Sequence, residues 1–370
     1  MRMTTILLGL LLFAAAPTGR AVAGEFPKPQ IEYAPRTFHC PYAEVAPVID
    51  GLGTDRIWQN CGRTDSFVDI EGKHMPTPWF ETRAAMAWDD DYFYVFAQME
   101  EPHVWGKLQK RDSVIYYDND FEVFIDPDGD THNYFELEIN ALGTEWDLFL
   151  TRPYRDGAQA LHAWDIPGLK TAVHIDGTLN DPTDTDTGWN VEIAIPWGVL
   201  AEASGTTCPP EDGDRWWVNF SRVEWDMEVV DGEYIKAVDP ETGNTLPEHN
   251  WVWSPQGLIA MHYPERWGIV QFSAEPPQLT EPEVEVLVED FARIALYEIY
   301  YLLREYQGLT GTYNGFWEDP AWQDTDLSLP WPIELSTSDN RFEIIIGLRD
   351  GTTLSVTEDG RLHRRNPGDA

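Results

Sequence analysis

Apolar and polar residues alternate with a period of two over residues 48–272. Phe121, Val123 and Ile125 form one such apolar stripe, with Glu122 between two of its members. Successive side chains of a strand point to opposite faces, so this pattern predicts strands that bury one face. Further segments with the pattern cover residues 92–99, 134–140, 146–150, 189–195, 216–224 and 268–272. Many strands with Asp-Gly turns and hardly a helical stretch predict an all-β fold, an antiparallel β-sandwich over residues 24–275.

The pattern changes after residues 276–283, a proline-rich segment that we interpret as a linker. Beyond it the apolar residues repeat with helical spacing, and the helix is predicted to end at Gly308. Its predicted apolar face consists of Val284, Leu287, Val288, Phe291, Ala295, Leu302 and Tyr306. Segments 342–348 and 353–356 flank an Asp-Gly pair and predict a β-hairpin. Residues 284–370 are therefore a small helix-and-hairpin extension, which either packs on the sandwich or binds a protein partner.

The first 23 residues have the features of a signal peptide. Arg2 supplies a positive charge, residues 6–16 form an apolar run, and Ala21-Val22-Ala23 is a small-residue cleavage signal. The run is too short to span a bilayer, and no later run is long enough. The sequence thus predicts an exported, soluble protein, either periplasmic or extracellular.

Charge and composition exclude several classes of partner. The chain carries 64 acidic and 25 basic residues, a formal net charge of −39. Phosphate contacts need clustered Lys and Arg, so a nucleic-acid partner is excluded, and binding to anionic membrane surfaces is disfavoured. The hydrophobic content of 42%, with 17 Trp, excludes a disordered acidic chain. We interpret the acidic surface as a device for solubility.

Three cysteines are informative if the protein is exported, because disulfides persist in oxidising compartments. Cys40 and Cys61 are close enough in sequence to pair, which leaves Cys208 single. A Cys61–Cys208 bridge and three free thiols remain open. No spacing of Cys and His suggests a zinc site.

Carboxylates occupy the polar side of the predicted strands. Glu122, Glu136, Glu138 and Glu192 lie opposite the core stripes of what we interpret as three adjacent strands. This side is either an ordinary solvated sheet face or a polar surface that accepts hydrogen bonds from hydroxyl groups. Two such carboxyls can meet the spacing of a glycoside hydrolase, but no motif marks one of them as the acid. Hydrolysis is therefore the weaker interpretation.

A turn and a loop carry other candidate ligands. Asp126, Asp128 and Asp130 supply the hard oxygen atoms that Ca²⁺ prefers, although Asp-rich turns without metal are common. Met261 and His262 are residue types that hold haem iron, but neighbours in sequence cannot fill both axial positions. Met99 or His103 would have to supply the second ligand, and simple packing of the Met-His loop is the plainer alternative.

Several segments, in order along the chain, resemble family 9 carbohydrate-binding modules over about residues 40–275. The segments that carry the resemblance are residues 48–51 with 57–58, 88–95, 118–130, 189–197, 218–224 and 264–268. The nearest group is the family 9-like branch of exported bacterial proteins. The resemblance implies a β-sandwich related to DOMON domains that binds sugars and carries structural calcium.

The resemblance also implies where a sugar would bind. The acidic residue of the family's binding face falls on Glu122, and its first stacking ring falls near Tyr116. The second ring falls near Met261, with His262 beside it. The family's arginine and glutamine fall on Glu138 and Ser221. From the residues themselves, Arg222 completes the predicted set of hydrogen-bonding groups. Arg222 and Glu224 face the opposite side of their strand from Ser221 and Asn219, and which pair faces the ligand remains open.

These observations favour an exported, non-catalytic carbohydrate-binding protein linked to carbohydrate catabolism. A DOMON-like haem carrier for electron transfer and a glycoside hydrolase that uses the carboxylates are the alternatives.

Overall fold

The computed structural model describes residues 26–278, 282–320 and 330–368. The predicted signal peptide and residues 279–281 of the predicted linker lie outside these ranges. In chain order, the strands up to residue 272 are β1 (Thr37–Cys40), β2 (Val68–Asp69), β3 (Thr82–Trp88), β4 (Tyr92–Glu100), β5 (Asp120–Asp126), β6 (Tyr134–Asn140), β7 (Glu145–Leu150), β8 (Ala160–Leu161), β9 (Lys170–Asp176), β10 (Gly188–Pro196), β11 (Arg215–Glu224), β12 (Met227–Val230), β13 (Glu233–Lys236), β14 (His249–Val252) and β15 (Gly268–Phe272).

Two helices interrupt these strands, and a helix with four strands follows them. The helices are α1 (Arg56–Asn60), α2 (Trp197–Leu200) and α3 (Val288–Thr310), and the last strands are β16 (Ile333–Thr337), β17 (Phe342–Gly347), β18 (Thr353–Thr357) and β19 (Leu362–Arg365). None of the helices within the described ranges is both long and apolar enough to cross a membrane.

Two sheets pack face to face and enclose one apolar core. The first sheet has the order β1-β15-β11-β5-β6-β7-β8, with β14 paired to β11 and β2 paired to β14. The second sheet has the order β3-β4-β10-β9. Neighbouring strands are antiparallel except for β1 and β15, which run parallel. The predicted antiparallel β-sandwich is confirmed.

The apolar stripes found in the sequence fill the space between the sheets. Phe121, Val123 and Ile125 of β5 lie in the same core cluster as Trp189 and Val191 of β10. Because side chains alternate along a strand, the residues between these stripes point to the outer faces of the sandwich. The core stripes therefore fix which residues of β5, β6 and β11 lie together on the outer face of the first sheet.

Glu192 does not share a sheet face with Glu122, so the prediction of three adjacent carboxylate strands is wrong. β10 belongs to the second sheet, and Glu192 lies on the outer side of that sheet. There its carboxylate accepts hydrogen bonds of 2.8 Å from the backbone N–H groups of Asp50 and Gly51. The period of two reports which side a residue faces but not which sheet its strand joins.

The extension after residue 284 is larger than predicted. The predicted hairpin is β17 and β18, the central pair of a four-stranded antiparallel sheet. α3 ends at Thr310, and Gly311 caps it with a φ of 81°, beyond the predicted end at Gly308. Its predicted apolar face is correct only in part, since Ala295 and Tyr306 are buried whereas Val288 is 65% exposed and Phe291 46% exposed. The residues that α3 buries against the sheet include Ala292, Leu296, Ile299, Tyr300 and Leu303.

α3 docks on the sandwich through buried polar contacts. The Tyr301 hydroxyl donates to Glu265, which also forms an ion pair of 2.7 Å with Arg155. The Tyr300 hydroxyl donates to Asp156, and Arg304 lies 2.5 Å from the same carboxylate. These contacts favour the docked alternative for the extension; the domain boundaries themselves stay predictions.

The beginning of the described chain packs against the same helix. The ring of Phe26 lies 6.0 Å from the ring of Tyr300 in an edge-on contact and 6.3 Å from that of Tyr301 in a stacked one. The guanidinium of Arg304 lies over the Phe26 ring at 4.9 Å. An N-terminal segment, the sandwich and α3 thus meet in one place.

Candidate functional site

Four acidic side chains lie together on the outer face of the first sheet. Asp120 and Glu122 of β5 and Glu136 and Glu138 of β6 are each at most 5% exposed. Glu122 pairs with Glu138 across β5 and β6, and with Ser221 across β5 and β11. We call Asp120, Glu122, Glu136 and Glu138 the carboxylate face. The structure therefore brings Glu122, Glu138 and Ser221 together, as the sequence predicts.

Several polar atoms at this face are buried without a hydrogen-bond partner among the described residues. They are Oδ2 of Asp120, Oε2 of Glu122, Oε2 of Glu136, Oγ of Ser221 and Nε1 of Trp146. Trp146 pairs with Glu138 across β6 and β7, so its indole lies beside the carboxylates. An unsatisfied buried polar group costs about 1–3 kcal/mol, and folded proteins seldom leave several in one place. The face is therefore suited to a ligand that both donates and accepts hydrogen bonds.

Burial controls the protonation of the carboxylate face. It raises the pKa of Glu122 to about 7. It also raises the pKa of Asp120, Glu136 and Glu138 well above the usual range, and repulsion from Glu122 raises each of the three further. Four carboxyl groups so close together stay ionised only if a ligand compensates for their charges, and otherwise they take up protons.

Aromatic rings lie beside the carboxylates. Tyr116 is half-buried, and its backbone N–H donates to Glu138 at 3.0 Å. Tyr154 lies in a turn after β7, is 44% exposed, and has its ring 4.4 Å from that of His262. Its phenol is close enough to Glu136 and Glu138 for their charges to raise its pKa, although burial is the larger cause. The sequence analysis did not predict Tyr154. Its position in a turn directly after a strand could have marked it as a ring at the edge of the face.

Met261 and His262 border the face but are tied into the protein. Met261 is buried in the same apolar cluster as Phe124 and Tyr134. His262 Nδ1 and the Tyr134 hydroxyl share a hydrogen bond of 2.9 Å. Burial, helped by the charge of Arg155, lowers the pKa of His262 to about 3, so the imidazole is neutral. His262 can therefore offer a neutral ring at the edge of the site, whereas Met261 serves as packing.

Neither residue suggested as a second haem ligand reaches Met261 and His262. Met99 lies in the core between the two sheets, on the other side of the first sheet. His103 Nδ1 shares a hydrogen bond of 3.0 Å with the Tyr234 hydroxyl. The structure thus does not assemble the ligand pairs that the haem interpretation would need.

Arg222 is not part of the carboxylate face, which corrects its predicted role. Its side chain alternates with that of Ser221 and points between the sheets, where it is fully buried. The guanidinium lies 2.9 Å from Glu101 and 2.8 Å from Glu224, and it donates to the Thr82 hydroxyl at 3.1 Å. Arg222 therefore holds the strand ends together.

The predicted calcium ligands lie in the turn between β5 and β6. Asp126, Asp128 and Asp130 each bring one carboxylate oxygen within 4.8 Å of the others. Burial raises the pKa of Asp128 to about 6, and the charge of Asp130 contributes. Arg361, directly before β19, neutralises part of this charge through an ion pair of 2.7 Å with Asp130. The donor set fits a hard cation, since all three groups offer oxygen atoms.

The predicted disulfide stays a prediction. Cys40 is buried in the core between the sheets, and Cys61 is buried with Ala85 and Ala87 on the outer side of the second sheet. Cys208 is half-buried and its thiol donates to the carbonyl of Trp197 at 3.5 Å.

A β-sandwich with a buried polar patch and bordering rings on one outer face has the architecture of a binding module. Residues 49–270 match the model of the family described as "Carbohydrate family 9 binding domain-like", and the chain belongs to this family. The resemblance found in the sequence is thereby confirmed.

Two curated relatives match part of the chain. They are Endo-1,4-beta-xylanase A of Thermoanaerobacterium saccharolyticum and Exoglucanase XynX of Acetivibrio thermocellus, each 27% identical over 160 residues. The match covers 43% of this chain and 12% of either relative. A solved structure is also similar, that of a family 9 carbohydrate-binding module from Caldicellulosiruptor kristjanssonii in complex with cellotriose. The match has 15% identity and a TM-score of 0.41, and it covers 68% of this chain and all of that chain.

Proposed function

We propose that this protein is an exported, non-catalytic carbohydrate-binding protein that recognises an oligosaccharide or polysaccharide at the carboxylate face. The main observation behind this proposal is the set of buried polar atoms on that face that have no hydrogen-bond partner among the described residues. Hydroxyl groups of a sugar both donate and accept hydrogen bonds, so they complement carboxylates, a serine hydroxyl and an indole N–H at once. A ligand that satisfies them recovers the free energy otherwise lost by their burial.

Each group has a distinct part in this interaction. The oxygens of Glu122 and Glu138 accept hydrogen bonds from sugar hydroxyls, and Nε1 of Trp146 donates one. Ser221 donates or accepts as the ligand requires. The rings of Tyr116 and Tyr154, with His262 beside them, offer apolar surfaces for the C–H face of a sugar ring.

The protonation of the face supports binding rather than hydrolysis. A glycoside hydrolase pairs an acid of raised pKa with a second carboxylate that stays ionised. Here burial raises the pKa of Glu122 to about 7 and the pKa of Glu136 and Glu138 well above the usual range, so burial favours the protonated form of all three. The names of the two curated relatives describe whole proteins, of which the matched segment is 12%. Those names support a link of this chain to the catabolism of plant polysaccharides.

Export and calcium complete the proposal. The apolar run of residues 6–16 and the small-residue signal before Gly24 support export. The oxygen atoms of Asp126, Asp128 and Asp130 support a structural calcium ion, which would fix the turn between β5 and β6.

Calorimetric titration with cello- and xylo-oligosaccharides, in free and end-blocked forms and with calcium present, tests this function. We expect binding by the wild type and at least tenfold weaker binding by Glu122→Gln, a loss of about 1.4 kcal/mol. Glu228→Gln, an exposed position on β12, is the matched control and should bind normally. Equal affinities of the three proteins, or no binding to any glycan, would contradict the proposal.

A further inference from the structure

Three members of the carboxylate face converge on one point. Asp120, Glu122 and Glu138 each place one carboxylate oxygen so that the three oxygens lie within 4.8 Å of one another. Oxygens that bind one Ca²⁺ lie about 2.3–2.6 Å from it, so two of them are at most about 5 Å apart. The spacing of the three groups is therefore that of ligands around a single ion.

A neutral group points to the same place. Ser221 is fully buried and lies opposite Glu122 in the sheet register. Its Oγ has no hydrogen-bond partner in the part of the chain that the structure describes. Ser221 is uncharged, so its burial at this place is an observation independent of the acidic cluster. It offers a further oxygen ligand.

Lys236 and two backbone N–H groups compensate part of the charge at this face. The backbone N–H of Tyr116 donates to Glu138 at 3.0 Å, and that of Val223 donates to Asp120 at 3.4 Å. Oδ2 of Asp120 and Oε2 of Glu122 remain without partners among the described residues. Buried like charges are costly unless a counter-charge is present, and a divalent cation provides one directly.

We propose that Asp120, Glu122, Glu138 and Ser221 form a binding site for one Ca²⁺. All four donors are oxygen atoms, whereas zinc sites favour nitrogen and sulfur. Mg²⁺ retains several waters in its shell, which a buried site made of protein oxygens does not accommodate well. The inference goes beyond carbohydrate binding, although the proposed function uses some of the same unpartnered atoms. The two functions are compatible, because a carboxylate has two oxygens and can bind the ion with one and a hydroxyl with the other.

The site differs from the predicted calcium loop, and variants can separate the two. Purified full-length protein is stripped with a chelator and titrated with CaCl₂ by calorimetry, with bound calcium counted by elemental analysis. The wild type is compared with Asp120→Asn/Glu138→Gln and with Asp128→Asn, which alters only the loop. We expect the double variant to bind one calcium ion fewer than the wild type, or to bind it at least tenfold more weakly. Asp128→Asn should keep the ion at the carboxylate face.

Thermal melting shows whether the variants are folded. Removing two charges relieves repulsion, so the chelated double variant should melt no lower than the chelated wild type. Calcium should then raise the melting temperature of Asp128→Asn more than that of the double variant. Glu138→Gln alone provides the same comparison if the double variant does not fold.

Three results would overturn the proposal. The first is an equal number and affinity of calcium ions in the wild type and in the variants of the face. The second is no binding of calcium by Asp128→Asn. The third is equally tight binding of Mg²⁺ or Zn²⁺ at the face, which would remove the assignment to calcium. Glycan titrations of the same proteins are scored separately, so the failure of carbohydrate binding is distinguishable from the failure of the metal site.

Discussion

The guanidinium of Arg293 lies over the indole of Trp217, with Cζ 4.4 Å from the ring centre. Arg293 belongs to α3 and Trp217 to the outer face of β11, so the contact joins the C-terminal unit to the sandwich. The nitrogens of Arg293 are buried without hydrogen-bond partners among the described residues. A desolvated cation–π contact contributes about 2 kcal/mol. Arg293 is also close enough to Asp126 for its charge to lower the pKa of that carboxyl against the larger effect of burial.

Trp217→Ala should therefore destabilise the whole protein. Loss of the half-buried ring and of its contact with Arg293 should reduce the free energy of unfolding by roughly 2–3 kcal/mol, below the cost of truncating a fully buried Trp. Denaturant unfolding of the full chain measures this change. Trp79→Ala, at a position 53% exposed, serves as the control. Equal losses for the two variants would mean that Trp217 does not couple α3 to the sandwich.

Gly129 lies in the turn between β5 and β6, and Gly213, which precedes β11, is a matched control for substitutions there. Both have positive φ, 66° and 89°. A Cβ at Gly129 would lie 2.2 Å from the ring of Trp217, whereas a Cβ at Gly213 meets nothing within 4 Å. Gly213→Ala should cost about 1 kcal/mol from backbone strain alone, and Gly129→Ala clearly more. Equal melting temperatures for the two variants would show that the turn can move away from Trp217.

Arg222→Ala should be severely destabilising without removing a ligand contact. It leaves the buried carboxylates of Glu101 and Glu224 without their cation, a change that costs about 3–5 kcal/mol. Arg83→Ala breaks an exposed pair with Glu81 at 3.0 Å and should cost no more than about 1 kcal/mol. Denaturant midpoints of both variants test the difference. Glycan affinity of the folded fraction of Arg222→Ala should match the wild type, and a selective loss of affinity would return Arg222 to the site.

His262 should make the protein less stable in acid. Its pKa is about 3 in the folded protein and 6.5 ordinarily, so only the unfolded chain takes up a proton between these values. The free energy of unfolding therefore falls as the pH drops from about 6.5 towards 3. His262→Gln should show a shallower fall over this window. A proton NMR titration in which His262 of the folded protein titrates near its ordinary pKa would refute this expectation.

The period of two was sufficient to predict the sandwich and to place Glu122, Glu136 and Glu138 on one face. This succeeds because the core stripes of β5 and β6 are unambiguous and the two strands are joined by a short turn. Glu192 could not be assigned in the same way, because alternation has no information about which of two sheets a strand joins. The choice between Ser221 and Arg222 likewise depended on which stripe of β11 faces the second sheet.

Other features depended on tertiary contacts that leave little trace in sequence. The apolar face of α3 was predicted only in part, because Val288 and Phe291 remain exposed, whereas Tyr300 is buried with its hydroxyl hydrogen-bonded to a carboxylate. Tyr154 was missed because its place beside the carboxylate face depends on the turn that follows β7. The unpartnered atoms of Asp120 and Ser221 emerge only once burial is known.

The contact between Phe26 and α3 has a consequence for how the chain is made. Tyr300 and Tyr301, against which the ring of Phe26 packs, are synthesised 274 and 275 residues after it. At about 5–20 residues per second, that interval is roughly 15–55 s. Phe26 must therefore wait at least that long after its own synthesis before its ring reaches its final position against α3.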